Sequence, residues 1–252
     1  MGFNRYFVPN LPQAGSIELP PEEAHHALRV RRETVGAKCV AFDGRGHVAI
    51  CHFVQATKRE IAIEVESHRF EPNEPQGHIR LAVAMPKGDR QKGVVEKAVE
   101  LGVHELIPLV CQRSVSLPNE LAAEKWHRIV VEACKQCERN RLMSISPSRS
   151  FESLIQSDFP DDPTAATASL KMIAHPQRNA PCDKETIRSP FDRISQRFQW
   201  VTIAIGPEGG FTNEEVQSAM DASWCQLDFG PRILRVETAV CVASLYACLC
   251  NA

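Results

Sequence analysis

No run of apolar residues in this chain is long enough to cross a bilayer, which takes roughly 20. The longest, residues 239–250, is read as a buried helix. The first residues, Met1-Gly2-Phe3-Asn4-Arg5-Tyr6, hold no apolar core of a secretory signal, so the expected compartment is the cytoplasm and no membrane partner is expected. A disulfide framework is missing as well. The ten cysteines are scattered through 252 residues, and most sit in apolar segments, among them Cys39, Cys51, Cys111, Cys225, Cys241 and Cys248. That usage suits reduced thiols acting as small hydrophobes. Cys134 and Cys137 form a C-x-x-C, but the other close pair, Cys248 and Cys250, is a C-x-C in an apolar helix. His25, His26 and His175 lack ligand spacing, so no metal is expected.

Nucleotide signatures are also absent. There is no G-x-G-x-x-G, which argues against a dinucleotide site. Gly88 and Gly93 have P-loop spacing, but Val94 and Val95 follow where Lys and Ser or Thr belong, so an NTPase is not supported. No His-Cys-Asp arrangement suggests a nucleophile, and no internal repeat occurs. A formal net charge of −2 excludes a chain that is basic all over. It does not exclude local patches, which matter more for nucleic acid. Arg29, Arg31 and Arg32 form one cluster and Arg139 with Arg141 another, while residues 81–150 hold eleven basic against eight acidic side chains. Charge alone leaves these as either RNA contacts or solvated faces.

With 43% hydrophobic and 24% charged residues, the chain has the composition of a globular protein of one large or two smaller domains. The first seventy residues read as β-rich. Residues 38–42 form a short strand, Asp43-Gly44-Arg45-Gly46 a hairpin turn, and 48–54 the return strand. Ile61, Ile63 and Val65 alternate in a further strand, and 21–31 looks helical. Short strands on tight turns suggest a small barrel. Residues 71–77, with two prolines and a glycine, read as a linker. The texture then changes. Apolar strands at 81–85, 105–110, 171–174 and 200–205 alternate with helices at 92–101 and 121–139. The run at 81–85 is continuously apolar, as in a strand buried on both faces, and strands alternating with helices imply a right-handed, mostly parallel α/β sheet. Residues 159–167 and 176–190 read as loops.

The strongest local signal is Gly206-Pro207-Glu208-Gly209-Gly210-Phe211, which leaves a strand and enters a helix. Thr212 and Glu215 have capping-box spacing and mark the helix start. The glycines let backbone approach a ligand closely, and ligands of open α/β sheets bind at strand carboxyl ends. A tight turn alone needs fewer glycines. A second segment, Phe229-Gly230-Pro231-Arg232-Ile233-Leu234-Arg235-Val236-Glu237-Thr238-Ala239, leads into the C-terminal helix. Capping accounts for Glu237 in the first turn. It accounts less well for Arg232 and Arg235, which need a partner or a ligand. Lys87 with Arg90, and Arg113 with Ser114, also follow strand ends, so these segments converge if the sheet is parallel.

Together the segments resemble the RsmE family, which methylates N3 of a uridine in 16S ribosomal RNA. Arg5-Tyr6-Phe7-Val8, His26 with Leu28-Arg29-Val30, and Asp43-Gly44 look like its PUA-like barrel. Met85-Pro86-Lys87, Glu96-Lys97, Arg113-Ser114, Glu132-Ala133 with Gln136 and Arg139, the GPEGGF loop and Arg232-Ile233-Leu234-Arg235-x-Glu237-Thr238-Ala239 look like its catalytic domain. The resemblance implies an α/β fold with a C-terminal trefoil-knot (SPOUT) parallel sheet, helices on both faces, and a small N-terminal PUA-like β-barrel. It implies domains at 1–72 and 73–252, a homodimer, S-adenosyl-L-methionine as cofactor, and 16S RNA of the small ribosomal subunit as partner. Residue by residue, it implies cofactor contacts at Ala174, His175, Pro176, Gly206, Pro207, Glu208, Gly209, Gly210, Phe229, Leu234, Thr238 and Ala239. Arg113 and Arg235 are the expected catalytic cations, and Glu237 either a base or a helix cap. Arg5, Arg29, Arg32, Lys87, Arg90 and Arg139 are expected to grip RNA. Val236 stands where the family usually has threonine, and residues 140–143 also depart from its pattern. The competing readings are a non-catalytic RNA-binding assembly factor and a related enzyme acting on tRNA or 23S RNA.

Overall fold

The protein is represented by a computed structural model that describes residues 3–57, 60–115, 120–157, 169–176, 186–187 and 198–251. The loop readings at 159–167 and 176–190 lie outside these residues, apart from Pro176 and the two residues 186–187. The chain forms two compact units. The first comprises Met1–Glu74 with Val131–Leu142, and the second Pro75–Val130 with Met143–Ala252.

The first unit begins with β1 (Asn4–Phe7), β2 (Gly15–Glu18) and α1 (Pro21–His25). Pro21 opens α1, where its missing N–H has no helical partner to lose. The expected helix at 21–31 changes type at His26 and continues to Arg31 as a π-helical turn, closed by Arg32 in the left-handed region at φ 55°. Then come β3 (Lys38–Phe42), β4 (His47–Ala56) and β5 (Ile61–Phe70). The strands form one sheet in the order β1-β3-β4-β5-β2, with β1 parallel to β3 and the other ladders antiparallel. The expected small barrel is observed as this bulged sheet, with register shifts after Ile50 and Phe53 and no ladder joining β1 to β2 among the described residues. Tyr6, Ala41, Ala49, Phe53 and Ile63 fill its core. Asp43 Oδ1 accepts the Arg45 and His47 amides at 2.7 and 3.0 Å, which shapes the hairpin. Gly44 sits at φ 76°, and a Cβ there would come within 2.8 Å of Leu142.

The second unit is built on β6 (His78–Val83), α2 (Arg90–Glu100), β7 (Glu105–Val110), α3 (Glu120–Cys137), β8 (Ser144–Ile145), β9 (Arg149–Ser150), α4 (Phe151–Ile155), β10 (Ser169–Ala174), β11 (Thr186–Ile187), β12 (Trp200–Ile205), α5 (Asn213–Asp221), β13 (Cys225–Leu227) and α6 (Val236–Asn251). The last residues of α3, from Val131, belong to the first unit. Every ladder here is parallel, in the order β11-β13-β10-β12-β6-β7-β8, with β9 also on β7. The strand expected at 81–85 starts at His78, where β12 supplies partners, and its ladder ends at Val83 before Pro86. Both sheet faces are covered. α6 packs on α2, β6 and β12. Strand residues such as Ala82, Ile107, Ile173 and Ala204 pack with Phe151, Leu154, Phe211, Ala219 and Trp224 on the opposite side. No helix among the described residues is long and apolar enough to cross a membrane.

Candidate functional site

Three neighbouring strands of the second unit, β13, β10 and β12, run in the same direction. Their exits at Leu227, Ala174 and Ile205 open on one cavity of about 730 Å³. This is the carboxyl edge of the parallel sheet, where the backbone groups and loops that bind ligands gather. A cavity of that size suits a small molecule or cofactor.

The glycine loop after β12 forms one wall. A Cβ on Gly206 would stand 3.0 Å from the Phe211 ring, so a larger residue there would press on Phe211. Gly210 lies at φ 69°, and its N–H donates to the Pro207 carbonyl at 2.8 Å. Phe211 is buried against Phe151 with ring centroids 5.0 Å apart. The loop then enters α5 through a complete capping box, in which the Thr212 hydroxyl accepts from the Glu215 amide and the Glu215 carboxylate from the Thr212 amide.

The loop after β7 is tied to this wall. The Ser114 hydroxyl accepts the Cys111 amide at 2.8 Å and closes a tight turn. Arg113 Nη1 donates to the carbonyls of Gly209 and Phe211 at 2.9 and 3.4 Å. The Gln112 amide donates to Glu215 Oε1 at 2.9 Å. Burial, with the nearby Glu215 charge adding to it, pushes the Cys111 thiol up to about 12. Cys111 is therefore protonated at neutral pH and is no nucleophile. On the opposite wall the His175 amide donates to the Leu227 carbonyl at 3.0 Å, and Gln226 Nε2 to the His175 carbonyl at 3.1 Å.

The structure brings Arg113, Ala174, His175, Pro176, Gly206, Pro207, Glu208, Gly209, Gly210, Phe229, Leu234 and Ala239 to this one cavity. It does not bring Arg235, Glu237 or Thr238 to the wall. Arg235 and Thr238 are exposed, and Glu237 is half-buried. Val236, where the resemblance implies a threonine, is buried and lines the cavity. Sequence reasoning missed Leu227 and Asp228, which stand at the end of a three-residue strand too short to show a period. It also gave no ligand-facing place to Ile205 or Asn213, although both flank the recognised loop.

The residues expected to grip RNA divide. Arg29 and Arg32 are exposed at the end of the π-helical turn, and Lys87 is exposed with no partner among the described residues. Arg90 is held by Glu208 at 2.6 Å. Arg5 is half-buried, donating to Asn140 at 2.5 Å with its guanidinium 5.1 Å from the Phe42 ring centre. Arg139 requires a correction. It is 3% exposed, and Nε and Nη2 donate to the two oxygens of Glu74 at 2.6 and 2.7 Å. A buried bidentate pair leaves no donor face for a phosphate, so Arg139 holds the first unit together.

Residues 72–247 match the RNA methyltransferase domain, and residues 19–66 match the RNA methyltransferase PUA domain. The chain is 30% identical over 245 residues to the ribosomal RNA small subunit methyltransferase E of Bacillus subtilis, covering 93% of this chain and 92% of that one. It is 27% identical to the Synechocystis protein of the same name, covering 96% and 76%. The crystal structure of ribosomal RNA small subunit methyltransferase E from Neisseria gonorrhoeae, bound to S-adenosyl methionine, superposes with a TM-score of 0.83. It has 26% identity and covers 96% of this chain and 95% of that one. A parallel α/β sheet with a glycine-loop cavity at its carboxyl edge thus coincides with similarity along almost the whole chain, and the chain belongs to the ribosomal RNA small subunit methyltransferase E family of RNA methyltransferases.

Proposed function

We propose that this protein transfers a methyl group from S-adenosyl-L-methionine to N3 of one uridine in 16S RNA of the small ribosomal subunit, in the cytoplasm. The observation that carries the reading is the cavity itself. Eleven of the twelve positions to which the family resemblance assigns the cofactor line one space, and a relative of the same architecture was crystallised with S-adenosyl methionine bound. The walls suit that group: Ile205, Leu227, Val236 and Ala239 are apolar, the glycine loop offers backbone, and the Asp228 carboxylate lines the same space. When bound, S-adenosyl-L-methionine supplies an electrophilic methyl on a sulfonium.

The chain's own residues then have two tasks. N3 of neutral uracil carries a proton, so the site must favour its loss and hold the resulting anion. Arg113 on the cavity wall and exposed Arg235 beside it are the cations assigned to the uracil oxygens, by the logic of an oxyanion hole. Glu237 lies one residue past Val236, and its Oε2 is screened from solvent without a hydrogen-bond partner among the described residues. With Glu237 off the cavity wall, its carboxylate is assigned to the first turn of α6, where the helix dipole favours it, and the N3 proton leaves to solvent. Because N3 lies on the pairing edge, the uridine enters unpaired. Exposed Arg29, Arg32 and Lys87 are assigned to phosphates, which position RNA without reading its sequence. In this reading residues 1–72 grip RNA and 73–252 form a knotted catalytic domain that pairs with a second copy.

The test is to incubate the protein with labelled S-adenosyl-L-methionine and small subunits from a strain lacking the activity, then identify the product nucleoside by mass spectrometry. N3-methyluridine at a single 16S site is expected. Label appearing only on tRNA or 23S RNA, or cofactor binding with no transfer to any RNA, overturns the substrate assignment.

A further inference from the structure

Glu215 has a role that capping α5 does not explain. In an ordinary capping box one carboxylate oxygen bonds the helix's own N-terminus and the other is free for water. Here Glu215 is 6% exposed, and both oxygens accept backbone N–H groups from different parts of the chain. Oε2 takes the Thr212 amide at 2.8 Å. Oε1 takes the Gln112 amide at 2.9 Å, 103 residues away in sequence, in the loop after β7. The residue next to Gln112 is Arg113, whose guanidinium donates to Gly209 and Phe211 on the cavity wall. A Cβ on Gly209 would touch the Arg113 side chain at 3.4 Å, so the arginine lies directly along the glycine loop.

The chemistry of these contacts is specific. Both partners of Glu215 are donors, so its site needs an acceptor on each side. A carboxylate offers that, whereas an amide presents one acceptor and one donor. The buried charge is stabilised by backbone dipoles at the start of α5. The Ser114–Cys111 turn keeps the same loop short, leaving Gln112 and Arg113 little freedom once Glu215 holds the Gln112 amide.

We infer that Glu215 is a positioning residue, which fixes Arg113 against the glycine loop by holding the Gln112 backbone. The inference rests on the proposed role of Arg113 in methyl transfer. Misplacing a catalytic group by about 1 Å is enough to lower turnover by about a hundredfold.

The experiment compares Glu215→Gln, Thr212→Val, Arg113→Ala and the Arg113→Ala/Glu215→Gln double variant. It measures turnover, cofactor affinity, and hydrogen exchange of the Gln112 amide. Thr212→Val removes the hydroxyl half of the cap but leaves the Gln112 bond. Glu215→Gln is expected to lower kcat by about tenfold to a hundredfold and speed exchange at Gln112, with cofactor Kd changed less than about threefold. Thr212→Val lowers Tm but leaves kcat within about threefold. The double variant turns over no more slowly than Arg113→Ala, because Glu215 acts through Arg113. Equal kinetic losses in Glu215→Gln and Thr212→Val, or multiplying losses in the double variant, overturn the inference. Glu215→Asp, with the same charge and a shorter reach, replaces Glu215→Gln if the latter does not fold. If the wild-type protein transfers no methyl to any RNA, the proposed function fails. Exchange at Gln112 then decides the positioning by itself: unchanged exchange in the Glu215 variants rejects it, and faster exchange in them but not in Thr212→Val supports it.

Discussion

The two ends of the parallel sheet use the same residue types in opposite ways. At the amino end Arg80 is 4% exposed, donates to Glu105 at 2.6 Å, and lies with its guanidinium 4.4 Å from the Trp200 ring centre. Ser146 donates to the other oxygen of Glu105, and His78 stacks on Trp200 at 4.5 Å. That end is sealed, with its charges matched inside it. At the carboxyl end Arg113 donates to backbone carbonyls, while Arg232 and Arg235 are exposed and pair with no carboxylate among the described residues. Glycines stand there in place of bulky side chains, and the space between them is a cavity. The contrast teaches where to look for function in such a fold. Cations satisfied by carboxylates hold strands in register, and cations facing open space at strand exits are available to a ligand.

Breaking the sealed end should have the largest effect on stability and the smallest on chemistry. Glu105→Ala leaves the Arg80 charge buried without its carboxylate, so unfolding free energy should fall by about 3–5 kcal/mol. Turnover per folded molecule should be unchanged. Denaturant unfolding paired with an activity assay checks both, and a turnover loss at full folding would erase the contrast between the ends. At the open end the balance reverses. Arg113→Ala should lower turnover by about 10²–10³, comparable to removing one preorganised donor from an oxyanion hole. Calorimetry should find cofactor affinity kept; equal loss of binding and turnover would reassign Arg113 to holding the cavity wall. The smallest effect is expected from Gly206→Ala, where the new methyl presses on the Phe211 ring at 3.0 Å. Overpacking of that kind costs about 1–3 kcal/mol, read as a cofactor affinity weaker by about tenfold or more. Unaltered affinity would show that the loop yields and that its glycines are not required for close approach.

Much of the second unit was legible because its signals are local. The strands at 105–110 and 200–205 are mostly apolar and match their observed bounds. Thr212 and Glu215 announced the start of α5, and the capping box is complete. Gly102, just past α2, takes φ 75°, a conformation that glycine adopts without strain. Shorter elements left no trace: β13 has three residues and α4 five, too few for a period to form. The first unit was read at the level of its hairpin, because Asp43-Gly44 is a short-range turn signal. The change from α to π geometry at His26 has no such signal. Arg139 was misjudged because a cluster of arginines in sequence looks alike whether it faces water or a buried glutamate.

The sequence by itself determined the class of fold, the strand exits and the glycine loop, because each depends on residues within a few positions of one another. It also carried the family resemblance, which is a property of motifs in order. Only the tertiary structure decided that β10 lies between β12 and β13, so that three loops far apart in the chain close on one cavity. It alone placed Val131–Leu142 with the first unit, turned Arg139 inward onto Glu74, and set Glu215 on the Gln112 amide. The physical reason is common to all of these. Local conformation follows from backbone sterics and nearest-neighbour hydrogen bonds, whereas the partner of a buried charge or an edge strand is selected by the packing of the whole unit.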